Sequence, residues 1–139
     1  MGKGGRSFIR PEIIEAVLAK DTALVKKLVK SGIDLNEQDK GGWTALHFAA
    51  QNGDISIARI LLENGAKVDI KEEYGNTALG KAVFNSRGKG DMIKLLLSYG
   101  ADKNLKNNYG VSPYELAQKI ANYPVAQYLV TDKKNLTRK

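Results

Sequence analysis

The stretch that decides the fold is Gly42-Trp43-Thr44-Ala45-Leu46-His47-Phe48-Ala49-Ala50, with Gly53-Asp54 behind it and then Leu61-Leu62-Glu63-Asn64-Gly65-Ala66. Thr44 suits a helix N-cap, where a side-chain oxygen takes up a first-turn amide. Leu46, Ala49 and Ala50 follow at spacings that share one helix face. Gly53-Asp54 breaks the chain. Ile57, Ile60 and Leu61 then mark a second amphipathic helix. Asn64-Gly65 stops it, with glycine fitted to the left-handed position just past a helix end.

The pattern repeats. Thr44 returns as Thr77, 33 residues on, and in that frame Gly42 meets Gly75, Leu46 meets Leu79 and Ala49 meets Ala82. The next step is 35 residues: Gly65 meets Gly100, Gly75 meets Gly110, Thr77 meets Ser112 and Ala82 meets Ala117. The two extra residues fall at Ser86-Arg87-Gly88-Lys89-Gly90. Backwards, Gly65 meets Gly32, Leu61 meets Leu28, Asp54 meets Asp21 and Ala49 meets Ala16. The spacing predicts four units, at about 6–38, 39–71, 72–106 and 107–131. Residues 1–5 are expected to form a flexible N-terminus and 132–139 a basic tail. A pair of short helices cannot bury its own apolar face, so each unit must lean on its neighbours. Alanines 16, 49, 82 and 117 let the helices approach closely.

Thr44-Ala45-Leu46-His47-Phe48-Ala49-Ala50 and Leu61-Leu62-Glu63-Asn64-Gly65-Ala66, repeated at this period, resemble the ankyrin repeat. The resemblance implies an all-α solenoid of four helix-turn-helix units, with degenerate caps at both ends. It also implies short hairpin-like fingers at the junctions and a concave face lined by fingers and first helices. The first unit opens Arg10-Pro11-Glu12-Ile13 and carries Glu15, Lys20, Lys26, Lys27 and Lys30, as a polar N-terminal cap should. Tyr123-Pro124 replaces the usual opening of the last second helix, which suits a C-terminal cap.

Composition narrows the function. No apolar run approaches 18 residues, so no membrane span is expected. The N-terminus has no apolar signal core, and Arg6 stands where a myristoylation signal wants Ser or Thr. The expected location is cytoplasmic. Cysteine is absent, which removes disulfides and thiolate chemistry. The net charge of +7 raises the question of nucleic acid, but residues 1–10 carry +3 and 131–139 another +3. The core is near neutral, whereas a nucleic-acid footprint is a basic patch on a fold.

Catalytic readings fail on residue supply. His47 is the single histidine. The resemblance gives it a hydrogen-bonding role between neighbouring units, which conflicts with service as the base of a serine triad. One histidine and no cysteine cannot assemble an ordinary zinc site. Glu72-Glu73 is expected to be solvated charge on a finger. Ser86 to Asp91 does not match a phosphate-binding loop. No enzyme activity, cofactor or metal is expected.

Recognition by surface remains, on fingers and outward positions of the first helices. The candidate partner-binding residues in the second unit are Lys40, Trp43, Phe48, Gln51 and Asn52. In the third they are Glu73, Tyr74, Asn76, Lys81, Phe84, Arg87 and Lys89, and in the fourth Tyr109. Trp43, Tyr74 and Tyr109 either anchor a partner, as interface aromatics do, or pack on a neighbouring finger; for Trp43, on a finger expected to be exposed, anchoring is preferred. The expected function is non-catalytic protein binding by a chain that is monomeric when free. Its concrete form follows from a likeness to small bacterial ankyrin proteins, some of which are immunity proteins neutralising a cognate toxin. The alternatives are a scaffold or adaptor, and nucleic-acid binding through the basic tails.

Overall fold

Helix pairs follow one another along the chain, most of them opened by a capping side chain and closed by a glycine or polar residue. The computed structural model describes residues 9–120 and 125–130. The proposed segments 1–5 and 132–139, and the Tyr123-Pro124 cap feature, lie outside the described residues. The helices are α1 Glu12–Leu18, α2 Thr22–Lys30, α3 Ala45–Asn52, α4 Ile55–Glu63, α5 Ala78–Phe84, α6 Asp91–Ser98 and α7 Pro113–Lys119. Residues 126–130 form a further helical turn. Among the described residues all regular structure is helical.

Among the described residues, five of the seven helices carry a side-chain cap; α1, which starts after Pro11, and α6, which starts after Gly90, do not. Asp21 accepts from the Leu24 amide, Thr44 from His47, Asp54 from Ile57, Thr77 from Gly80 and Ser112 from Glu115. The turn between the paired helices needs a left-handed residue. Gly53 supplies it with φ +69°, while the first unit places Lys20 there at φ +58°. A lysine in that region is strained where glycine is not.

The helices form two rows. α1, α3, α5 and α7 pack successively along one row, and α2, α4 and α6 along the other. Ala16, Ala49, Ala82 and Ala117 are all buried in the first row. Between the rows lie Ile13, Leu46 and Leu79, at one repeat position, and Leu28, Leu61 and Leu96, at another. Each fully buried aliphatic side chain contributes roughly 1.5–3 kcal/mol. The stack is therefore stabilised both within each helix pair and across units.

The fingers lie at 39–43, 72–76 and 107–111. In each, the first residue's amide bonds the carbonyl four residues on: Asp39 to Trp43 (2.8 Å), Glu72 to Asn76 (3.0 Å) and Asn107 to Val111 (2.9 Å). Fingers also bond to each other, Glu73 N–H to Gly41 C=O and Asn108 N–H to Tyr74 C=O, both at 2.9 Å. Below them, Asn36 Oδ1 accepts from the Lys67 amide and Asp69 from Asp102, again one repeat apart.

Candidate functional site

Each finger opens on a side-chain oxygen that gathers the loop's amides. Asp39 Oδ1 accepts from the Gly41 and Trp43 amides, both at 2.9 Å. Glu72 Oε1 accepts from Tyr74 and Asn76 (2.6 and 3.0 Å). Asn107 Oδ1 accepts from Tyr109 and Val111 (2.9 and 3.0 Å). A glutamate has a second oxygen to place, and Glu72 Oε2 takes Lys81 Nζ at 2.9 Å.

That ion pair corrects two expectations. Glu72 is not solvated charge, for it is 4% exposed. Lys81 is not an open recognition position. Its Nζ also lies 3.9 Å from the centroid of the Trp43 ring. Trp43 in turn stacks on Phe48 with ring centroids 4.5 Å apart. So Trp43, Phe48 and Lys81, predicted as separate contacts, form one half-buried cluster. The expectation that Trp43 stands on an exposed finger is corrected: its ring faces are occupied by Phe48 and Lys81. Burial pushes the Glu72 carboxyl up, but the Asn76 amide, Lys81 and the Tyr74 amide outweigh it and hold it below the usual glutamate value.

His47 is 1% exposed. Its Nδ1 accepts from the Thr44 amide (3.0 Å), and its Nε2 lies 2.9 Å from the Asn76 carbonyl. An amide can only donate and a carbonyl can only accept, so the neutral ring carries its proton on Nε2. Burial lowers its pKa, and Lys81 adds to the effect against the Asn76 bond, Glu72 and Asp39. A protonated Nδ1 would also confront the Thr44 N–H. The ring ties the second unit to the finger of the third, 72–76, as the resemblance implied.

The remaining candidates divide by surface. Tyr74, Phe84 and Tyr109 are 50%, 71% and 73% exposed. Lys40, Glu73 and Asn52 are exposed as well. Asn76 is committed to its neighbours: its carbonyl takes His47 and its Oδ1 takes Asn107 Nδ2 (2.9 Å). Gln51, Asn52, Arg87 and Lys89 meet at a groove of 460 Å³ where the α3–α4 turn faces the 85–91 segment. Arg87 is left-handed there at φ +52°. The segment is braced from the far end of the chain. Tyr128 donates from its hydroxyl to the Gly88 carbonyl (3.3 Å), and a Cβ on Gly90 would lie 2.7 Å from the Tyr128 ring. Among the described residues no cluster of three or more histidines and carboxylates could hold a metal.

Repeating fingers, twin helix rows and the His47 tie agree with comparison to known sequences. A family model described as ankyrin repeats matches residues 13–107 in three copies. The chain belongs to the ankyrin repeat family. It is similar to an ankyrin repeat protein of fowlpox virus, 36% identical over 113 residues, covering 78% of this chain and 33% of that protein. A Rickettsia bellii ankyrin repeat protein is 38% identical over 97 residues, covering 67% of this chain and 40% of the relative. An ankyrin repeat-containing protein of Schizosaccharomyces pombe is 31% identical over 124 residues, covering 88% and 58%. The chain thus spans less than two thirds of the length of these relatives. Ankyrin repeats generally mediate protein–protein interaction, and the family is generally non-enzymatic. No helix among the described residues is long and apolar enough to cross a membrane.

Proposed function

We propose that this ankyrin chain is a binding module that grips a partner protein with its fingers and the outward side of its first helices. The observation that carries the reading is the set of large exposed rings, Tyr74, Phe84 and Tyr109, on those elements. Large aromatic rings are the side chains most enriched among interface anchors. Trp43, Phe48 and Lys81 form a preassembled platform beside them, and Gln51, Asn52, Arg87 and Lys89 offer a polar groove. Lys40 and Glu73 complete the surface. The narrower form of the reading is an inhibitor that neutralises a cognate toxin in the cytoplasm. Its support is the likeness of the repeat motifs to those of small bacterial ankyrin proteins. Scaffold or adaptor service is the alternative within the same class.

The test is capture of partners by wild type and by Tyr74→Ala/Phe84→Ala. Both side chains are exposed, so the double variant keeps its fold, as circular dichroism checks. Affinity for the specific partner falls at least about a hundredfold if each ring supplies the roughly 2 kcal/mol of an anchor. Retention of every partner at full yield overturns the surface. If the partner is a toxin, co-expression restores growth to cells making it; unrelieved toxicity removes the inhibitor form.

A further inference from the structure

The second and third units treat one repeat position differently. Position 47 is histidine and position 80, in register with it, is glycine. The imidazole of His47 fills the gap between the Thr44 amide and the Asn76 carbonyl. The groups in register are the Thr77 amide and the Val111 carbonyl. Among the described residues the Thr77 amide makes no hydrogen bond, and the Val111 carbonyl accepts only the finger bond from Asn107. Between them is a cavity of 200 Å³, walled by Gly80, Leu105, Val111, Pro113 and Leu116, with exposed Tyr109 at its edge. That space would hold about six waters at roughly 30 Å³ each, ample for a five-membered ring. A Cβ on Gly80 would meet nothing nearer than the Asn76 side chain at 3.9 Å.

We propose that this cavity is an anchor pocket for the imidazole of a histidine on the bound partner. The inference rests on the reading that a partner docks on the fingers and first helices. The chain itself shows the mode of binding one unit earlier, with the same backbone groups around a ring. The apolar walls take the ring faces. The Thr77 N–H donates to the bare ring nitrogen, and the ring N–H donates to the Val111 carbonyl. A phenyl ring would leave both groups unpaired in a buried site, which binding sites of this kind penalise strongly. An imidazolium cannot accept from Thr77, so only the neutral ring fits.

The experiment uses 4-methylimidazole as the probe and the full chain, followed by amide chemical shifts. At about pH 8, where the ring is mostly neutral, saturable shifts are expected at Thr77, Gly80 and Val111. Thiophene, a ring of similar size without an N–H, binds at least about tenfold more weakly, one lost hydrogen bond's worth. Lowering the pH to about 5.5 weakens the probe at least tenfold through protonation. Gly80→His fills the pocket from within and abolishes the shifts while the fold is kept. Absence of saturable shifts, or equal binding of thiophene, overturns the pocket. With a captured partner in hand, Gly80→His lowers its affinity at least tenfold; unchanged affinity overturns the anchor role. Failure to capture any partner overturns the docking reading and the anchor role with it, a result that the probe titration reports separately from the pocket's own ligand preference.

Discussion

Two junctions of this stack share a backbone and differ in filling. Where the second unit meets the third, the imidazole of His47 spans from Thr44 to Asn76, and a buried Glu72–Lys81 pair sits under Trp43. Where the third meets the fourth, Gly80 leaves a cavity, an Asn76–Asn107 amide pair joins the fingers, and the ion pair is an exposed one, Lys106–Glu115. The finger bonds between neighbours are the same length in both, 2.9 Å. The amide gathered by Asp39, Glu72 or Asn107 is also the same in kind. The finger bonds thus keep one geometry at both junctions while the side chains beneath them vary from tight packing to open space.

The sharpest way to break the second junction is Gly75→Ala. Gly75 has φ +82°, and its Cβ would lie 2.6 Å from Asn108 Oδ1 and 2.8 Å from the Asn108 amide. Left-handed strain and the clash together cost about 3–5 kcal/mol, measured by urea unfolding. Gly110→Ala, with φ +78° and nothing within 4 Å, is the control and carries the strain alone. An equal loss from the two variants shows that finger-to-finger contact matters little.

The first junction is tested by His47→Gln. Glutamine cannot reach both Thr44 and Asn76 with a flat ring's rigidity, and the loss is about 2 kcal/mol at neutral pH. The pH dependence carries the sign. The folded chain holds His47 below its ordinary value of 6.5, so the unfolded chain takes up the proton first. Stability present at neutral pH is therefore lost as pH falls below about 6.5. Glu72, held below 4.5, adds a second loss further down, while burial raises Asp69 and works against it. The variant removes only the first loss, so the difference between the two stability curves isolates the histidine. A difference curve of zero slope between about pH 7 and 5 contradicts the assignment.

The smallest effect has the opposite sign. Gly80 sits inside a helix without a positive φ and with room for a methyl group. Gly80→Ala should raise stability by roughly 0.5–1 kcal/mol, read as a higher unfolding midpoint. A loss instead would mean that the cavity walls close on the added carbon.

Residues whose type is demanded by the backbone were legible in the chain itself. Thr44 and Ser112 cap, Gly65 and Gly100 turn left-handed, and the four alanines sit where helices touch, each for a reason that acts within a few residues. The register even held the clue to Glu72. Asp39, Glu72 and Asn107 occupy one repeat position, and all three carry an oxygen able to accept amides. Adjacent Glu72 and Glu73 nonetheless read as ordinary surface charge, because local sequence does not show which one turns inward. The half-burial of Trp43 is hidden from the sequence for a related cause. The lysine that covers it comes from the next unit, and a pattern read along the chain ranks neighbours by number rather than by distance. The pocket beside Gly80 is of the same kind, since a missing side chain shows only against the histidine that fills the earlier junction.

The finger bonds also have a direction. At each step the later finger donates and the earlier one accepts, Glu73 to Gly41 and then Asn108 to Tyr74. The middle finger is held from both sides, and each outer finger from one. Opening in a stack of nearest-neighbour contacts starts most cheaply at an end and travels inward. The row is a zipper that can part from either outer finger, 39–43 or 107–111, while the 72–76 finger between them is the last to let go.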